Sequence, residues 1–288
     1  MKLSCPKKFC QNSSVLQKDG TYFRKSDSKT IQRYRCKKCG KRFSTARLSA
    51  CFNQNKRPVN HLVGKLYCSK VSIRRIAKLL RVDKKTVQRK IAFLGIQAKL
   101  FNQRFVHKQF QQNVTHMQMD DLITKEKTKM LPLSISLACD ANTRMILGFK
   151  VSQIAAFGHL AQKSRQKYGP RKSRHRLKLH ELMQEITPLI SERALIRTDE
   201  HQFYPEVIKK YLPNSQHQRF KGGKGSISGQ GEMKKLTRDP LFAINHTFAM
   251  LRDNISRLVR RSWCVTQKVE ILEHHLHIYM KFHNTQLV

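Results

Sequence analysis

Two short-spaced cysteine pairs open the chain, Cys5-Pro-Lys-Lys-Phe-Cys10 and, about 25 residues on, Cys36-Lys-Lys-Cys39-Gly40. Each can place two thiolates on one tight knuckle, and four thiolates make the closed tetrahedral site of structural zinc. Cys5, Cys10, Cys36 and Cys39 are therefore the expected zinc ligands. The second pair is the stronger, because Gly40 permits the positive-φ turn that aims backbone amides at sulfur. Between the pairs, Thr21–Lys25 and Ile31–Arg35 alternate apolar and polar residues as a hairpin does. A zinc ribbon over residues 1–50 follows. A closed site leaves no open position, so no catalysis is expected there. Cys51 and Cys68 have no partner at knuckle spacing and are expected to pack.

Charge narrows the partner. The 58 Lys and Arg against 18 Asp and Glu give a formal net charge of +40, opposite in sign to a phosphate backbone. The basic residues run through the whole chain rather than along one amphipathic stripe. No apolar run reaches the roughly 20 residues of a bilayer span, so a membrane partner is not expected. The cysteine motif begins too early to leave space for a secretory segment, so the expected location is the cytoplasm, on the nucleoid. There, eight cysteines suit thiols and metal ligands better than disulfides.

A helix-turn-helix is expected within residues 57–96. Ser72 can cap a helix with the apolar face Ile73, Ile76, Ala77 and Leu80. After Arg81-Val82-Asp83, a second helix from Lys84 to Leu94 would bury Val87, Ile91 and Leu94. Lys84, Lys85, Thr86, Gln88, Arg89 and Lys90 would then point outward toward base edges and phosphates. The alternative is an amphipathic hairpin with merely solvated charges. The polar segment Gln97–Asn113 reads as a linker.

From residue 114 to 288 the pattern is β elements followed by alternating α and β, which suits a mixed sheet covered by helices. Met117–Asp120, Leu131–Cys139 and Met145–Ser152 read as an antiparallel meander with a turn at Asp140–Thr143. A helix over Leu177–Leu189, a strand over Ala194–Thr198 and a helix after Tyr204-Pro205 follow. Beyond the glycine-rich loop Gly222–Gly231, Asp239–Arg261 reads as one long helix. Trp263 and Phe282 are expected to pack. His246, His274, His275 and His283 are expected at the surface or on phosphates.

Carboxylates are scarce, so those placed at the ends of apolar strands stand out. Asp120 and Asp121 follow Met117–Met119, and Asp199 follows Ala194–Thr198. Two strands of one sheet can bring Asp120 and Asp199 together, and juxtaposed carboxylates are stabilised most readily by a divalent cation such as magnesium. Taken singly, each Asp is more commonly a turn residue or helix cap.

The succession of zinc ribbon, helix-turn-helix, Met-Gln-Met-Asp120-Asp121, Leu-Ile-Arg-Thr-Asp199 with Tyr204-Pro205, and Ile244-Asn245 through Arg261 resembles bacterial insertion-sequence transposases of the DDE superfamily. The resemblance implies an RNase H-like α/β core, with Asp120 and Asp199 as the first two catalytic carboxylates and magnesium or manganese between them. Asn245 matches the third position, where the family commonly carries Glu, and Arg252 the basic residue that follows on the same helix. Glu232, Asp239 or Asp253 are the nearby acids that would replace Asn245. Arg257, Arg260 and Arg261 are expected on the DNA backbone. Cleavage and transfer of double-stranded DNA at terminal repeats, and a homo-oligomer on DNA, are what the family implies. The competing readings are a non-catalytic DNA-binding regulator, an inactive transposase copy, and a nuclease of the same fold that cuts without joining.

Overall fold

The computed structural model describes residues 3–7, 10, 15–221, 239–259 and 263–288. The chain divides into two compact units, Met1–Leu62 and Val63–Val288.

In the first unit the alternating segments form an antiparallel three-stranded sheet, β1 (Leu16–Arg24), β2 (Lys29–Cys36) and β3 (Arg42–Ser44), in that order. Ile31, Cys36 and Phe43 are buried, while Lys29, Arg33, Arg35 and Arg42 are exposed. The β1–β2 turn is closed by a two-pronged Arg24–Asp27 pair, Nε to Oδ1 at 2.6 Å and Nη2 to Oδ2 at 2.5 Å.

The second unit begins within α1 (Val59–Tyr67) and continues through α2 (Ile73–Leu79) and α3 (Lys84–Phe110). Both caps are made by side chains: Ser72 Oγ accepts from Arg75 N, and Asp83 Oδ1 accepts from Lys85 N at 2.7 Å. Between the helices Arg81 adopts φ 50°. Gln97–Asn113 is not a linker, because α3 runs unbroken to Phe110 and ends at Gln111 in the left-handed region. Its polar composition conceals a stripe. Ala98, Asn102, Val106 and Phe110 recur every four residues and are buried, and Asn102 Nδ2 donates to the His277 carbonyl at 2.9 Å.

Five strands make the central sheet, in the order β6-β5-β4-β7-β8. The meander β4 (Val114–Glu126), β5 (Thr128–Asp140) and β6 (Ile146–Gln153) is antiparallel, whereas β7 (Ile190–Asp199) and β8 (Gln216–Phe220) run parallel to β4. Asp140 Oδ2 accepts from the Thr143 amide and hydroxyl and closes the β5–β6 turn. Met117, Met119, Leu133, Ile135, Leu137, Ile146 and Ile196 are almost wholly buried in the middle of this sheet.

On one face lie α5 (His175–Ile186), which follows α4 (Leu160–Tyr168), and α6 (Tyr204–Tyr211). Gly148 permits the close seating of α5: a Cβ there would meet Ile186 Cγ2 at 2.9 Å and Leu182 Cδ1 at 3.1 Å. On the other face lie α7 (Phe242–Asn254) and α8 (Val269–Phe282). Asn284, beyond α8, pins the edge strand by accepting from Ile146 N and donating to Ile146 O, at 2.9 and 2.8 Å.

Three expectations change here. Asp239–Arg261 is not one long helix, because α7 ends at Asn254 and the chain turns at Ile255. Trp263 does not pack and is fully exposed. His275 and His283 belong to the core: the first contacts the Tyr67 carbonyl and the second the Arg144 carbonyl, each at 2.9 Å. Among the described residues no helix is long and apolar enough to cross a membrane.

Candidate catalytic face and metal centre

The four N-terminal cysteines converge, with one sulfur from each lying within 4.8 Å of the others. Cys5 and Cys39 sulfurs are 3.6 Å apart, and those of Cys10 and Cys36 are 3.7 Å apart. Tetrahedral bonds of about 2.3 Å require sulfurs about 3.8 Å apart, so the cluster has the dimensions of a zinc–tetrathiolate site. Gly40 takes φ +68°, as its place in the knuckle demands. The Cys36 thiol is pulled down to about 7, first by the Cys39 backbone N–H, despite burial pushing it up. A thiol tuned this way is readily deprotonated for a metal. Cys68 is buried among apolar groups as expected, and burial pushes its thiol up to about 12.

Asp120 is not at a strand end. It sits in the middle of β4, and strand pairing continues past it to Glu126. Asp199 does close β7. The last parallel pair is Met119 with Thr198, and one further step along both strands sets Asp120 beside Asp199. Neighbouring strands are about 4.8 Å apart, so the two carboxylates share one edge of one face. That face is the α7 face. Gln118, two residues before Asp120, donates to the Pro240 carbonyl and accepts from Ile244 N, both at 3.0 Å, which fixes the start of α7 against β4.

Asn245 follows Ile244 on that helix, and Arg252 lies seven residues on, two turns along the same side. Burial pushes the Asp120 carboxyl up to about 7, against the Asp121 backbone N–H at 2.6 Å. The Asp199 charge adds to the rise and the Arg252 charge opposes it. Asp199 is also raised, by burial first, although its Oδ1 accepts from the His201 amide at 3.0 Å. These two carboxyls are held where ionisation is costly and where few donors repay it.

Asn245 is not alone at the third position. Its Nδ2 donates to Asp239 Oδ2 at 2.9 Å, and Asp239 Oδ1 accepts from Leu241 N at 2.9 Å, capping the approach to α7. Asp239 therefore stands beside Asn245, whereas Asp253 is exposed and paired with Lys70. Glu232 and the Gly222–Gly231 loop lie outside the described residues.

Compared with known proteins, the chain matches no family model and no curated protein.

A second constellation escaped the sequence reading. Asp121, one residue beyond Asp120, faces the opposite side of the pleat, toward α5 and α6. Its Oδ1 accepts from Ser134 and Ser136 hydroxyls at 2.6 and 2.5 Å, and its Oδ2 from the Tyr204 hydroxyl at 2.7 Å. His175 Nε2 lies 2.9 Å from Oδ2 without hydrogen-bond alignment and acts as an electrostatic contact. Burial alone would raise Asp121, but the His175 ring and the two serines outweigh it and hold the carboxyl at about 2. His201 approaches the same group, so Asp121, His175 and His201 each bring a ligand-type atom within 4.8 Å of the others. The legible signal was Ser134 and Ser136 alternating with Leu133, Ile135 and Leu137, which marks a buried strand with a polar request on one face.

On the helix-turn-helix segment Lys84, Lys85, Gln88 and Arg89 are exposed and Thr86 is half-buried. Lys90 is not outward-facing. It is 5% exposed, because it falls beside Ile91 and Val87 on the packed side of α3. Arg257 donates to the hydroxyl of buried Tyr67 at 2.6 Å, which ties it to α1. Arg260 and Arg261 lie outside the described residues.

Proposed function

We propose that the protein is a DNA transposase of the Asp-Asp-Asn type, whose second unit is an RNase H-like catalytic core. The observation that carries the reading is the parallel register of β4 and β7, which sets Asp120 beside Asp199 on the face that α7 covers. The β6-β5-β4-β7-β8 order, with β5 alone antiparallel to both its neighbours, supports the same fold.

The carboxyls fit a divalent ion. Both are raised by burial and receive few donors, so a cation would restore the charge that the pocket disfavours. Asp120 and Asp199 would hold magnesium or manganese, which when bound supplies activation of a water or 3′-hydroxyl and neutralisation of the leaving oxygen. Asn245 offers a neutral carbonyl oxygen at the third position, with Asp239 beside it as the nearest acid. Arg252 holds positive charge against this face and would meet the scissile phosphate.

Lys84, Lys85, Gln88 and Arg89, with Thr86, form the face we assign to duplex DNA at the element's terminal repeats. A homo-oligomer would pair two ends, on the nucleoid. One observation favours a second reading, an inactive copy that only binds DNA: the amide at position 245 is already tied to Asp239.

The test is cleavage and joining of labelled DNA carrying the repeats that flank the coding sequence, with magnesium or manganese. Native protein should cut and join, while Asp120→Ala and Asp199→Ala bind the same DNA and do neither. Tight binding without cutting under either metal would leave only the DNA-binding reading. Asn245→Ala and Asp239→Ala in the same assay tell which side chain completes the site.

A further inference from the structure

Between Asp140 and Glu181 the sequence carries no acidic residue, yet lysines and arginines run through α4 and the segment that follows it. Four cations of this stretch are engaged by acids: Lys150 by Glu185, Arg171 by Glu126, Arg176 by Glu206 and Lys178 by Glu181. Lys163, Arg165, Lys167, Lys172 and Arg174 are exposed, and among the described residues none of these five pairs with an acid.

The core gives α4 little reason to exist. Ser164 is its one buried residue, and Lys163 and Lys167, one turn apart, repel each other. A helix of nine residues has little stability of its own. It is nonetheless held at three points. Ser164 Oγ donates to the Met130 carbonyl at 2.7 Å, Arg171 Nη2 to Glu126 Oε2 at 2.8 Å, and Arg174 N to the Gln153 carbonyl at 2.9 Å. These anchors fix which way the helix turns its charges. At 100° per residue, Gln162 and Gln166 form the outer ridge opposite Ser164, with Lys163 and Lys167 on one flank and Arg165 on the other.

A partner for this surface must be a polyanion with charge on both sides of the helix. An anionic membrane requires an apolar ridge, and the ridge here is glutamine. A single strand offers one row of phosphates. A duplex offers two, across a major groove about 12 Å wide that accepts a helix about 10 to 12 Å across.

We propose that α4 is a second duplex-binding element, with Gln162 and Gln166 toward the major groove, Lys163 and Lys167 on one phosphate backbone and Arg165 on the other. Lys172 and Arg174 extend the contact beyond the helix. Met130 and Glu126, which anchor the element, flank the β4–β5 turn. From Asp120 to Glu126, β4 runs roughly 20 Å, or about six base pairs of B-form duplex. DNA on α4 therefore flanks the position held at Asp120 and Asp199. That placement rests on the transposase reading, whereas the duplex contact itself does not.

The test uses the full zinc-loaded chain without magnesium, so that binding is read apart from cleavage. Fluorescence anisotropy on a mixed-sequence duplex of about 30 base pairs, roughly three helical turns, would be followed across a range of salt concentrations. Each phosphate contact adds about 0.9 to the slope of log affinity against log salt, so the triple variant Lys163→Ala, Arg165→Ala, Lys167→Ala should lower the slope by about 2 to 3. The control removes the same charge at Arg193, Lys209 and Lys210, which are exposed toward the starting ends of β7 and β8, and should leave the slope within about half a unit. Both variants should melt at the native temperature, because Ser164 and Arg171 are untouched. An unchanged slope in the α4 variant, or an equal loss in the control, overturns the proposal. So does an equal loss of affinity for a single strand or for phosphatidylserine vesicles, since neither presents a major groove. If native protein never cuts DNA but the slope effect is present, the transposase reading fails and the α4 interface stands. If it cuts and the α4 variant keeps the native slope, the reverse holds.

Discussion

His275 should make the second unit acid-labile, and its share can be isolated. The ring lies stacked on Tyr67, with centroids 3.5 Å apart and planes 16° from parallel, and it is fully buried. Nε2 is 2.9 Å from the Tyr67 carbonyl, an acceptor only, so that nitrogen carries the hydrogen. Nδ1 is buried with no hydrogen-bond partner. Protonation would place a second N–H where nothing accepts it, in a site that already faces the Arg257 charge. Burial first, and then Arg257, hold the group well below its usual 6.5.

The sign follows from linkage. A base whose folded pKa is depressed leaves the unfolded chain binding the proton below about 6.5 while the fold does not, so stability is complete above that pH and falls as pH falls. One such group costs about 1.4 kcal/mol between pH 7.5 and 5.5 if it stays neutral in the fold. The variant His275→Gln keeps a donor for Tyr67 but cannot titrate. Urea unfolding at the two pH values should show Gln less stable at pH 7.5, from imperfect packing, with the gap narrowing by about 1.4 kcal/mol at pH 5.5. An equal gap at both would mean that His275 is protonated in the fold and that the burial reasoning is wrong.

Cys36→Ser should reduce bound zinc from about one ion per chain to near none and leave Met1–Leu62 sensitive to protease, since a structural metal supplies its folding energy. Retained zinc would refute the tetrathiolate assignment. Tyr204→Phe removes one of the donors to a fully ionised buried carboxylate and should cost about 2 kcal/mol in denaturant unfolding, the usual worth of a hydrogen bond to a charged group. No loss would show that Asp121 does not depend on it. Gly95→Ala should lower the melting temperature, although alanine favours helix, because a Cβ there would lie 2.5 Å from His274 Cβ where α3 meets α8. A rise would mean that the two helices part easily.

What was legible followed from periodicity and spacing. The cysteine knuckles, the β1–β2 hairpin and the β4–β5–β6 meander declare themselves in local pattern, as do Asp120 and Asp199 after their apolar runs, although only Asp199 ends its strand, and the sheet brings the two acids onto neighbouring strands. What was hidden depended on partners distant in sequence. Gln97–Asn113 looks like a linker until α8 supplies the surface that Ala98, Asn102 and Val106 bury against. Lys90 looks exposed by type, yet its place on α3 turns it inward. His275 and His283 look like surface groups on a basic chain, and only backbone carbonyls more than a hundred residues away make them core residues.

Asp120 and Asp121 show why composition could flag the acids but not separate them. They are neighbours on β4, and the pleat sends them to opposite faces. One finds two serines, a tyrosine and a histidine and is held at about 2. The other finds burial, a second carboxylate and a distant arginine and is raised to about 7. A carboxylate saturated by protein donors is a structural hub that ties α5 and α6 to the sheet, and further ligation there would displace bonds already made. A carboxylate starved of donors and set beside another is the one that gains by binding a cation. The assignment of chemistry to Asp120 rather than Asp121 thus rests on how many donors each face supplies, a quantity fixed by Ser134, Ser136 and Tyr204 rather than by the aspartates themselves.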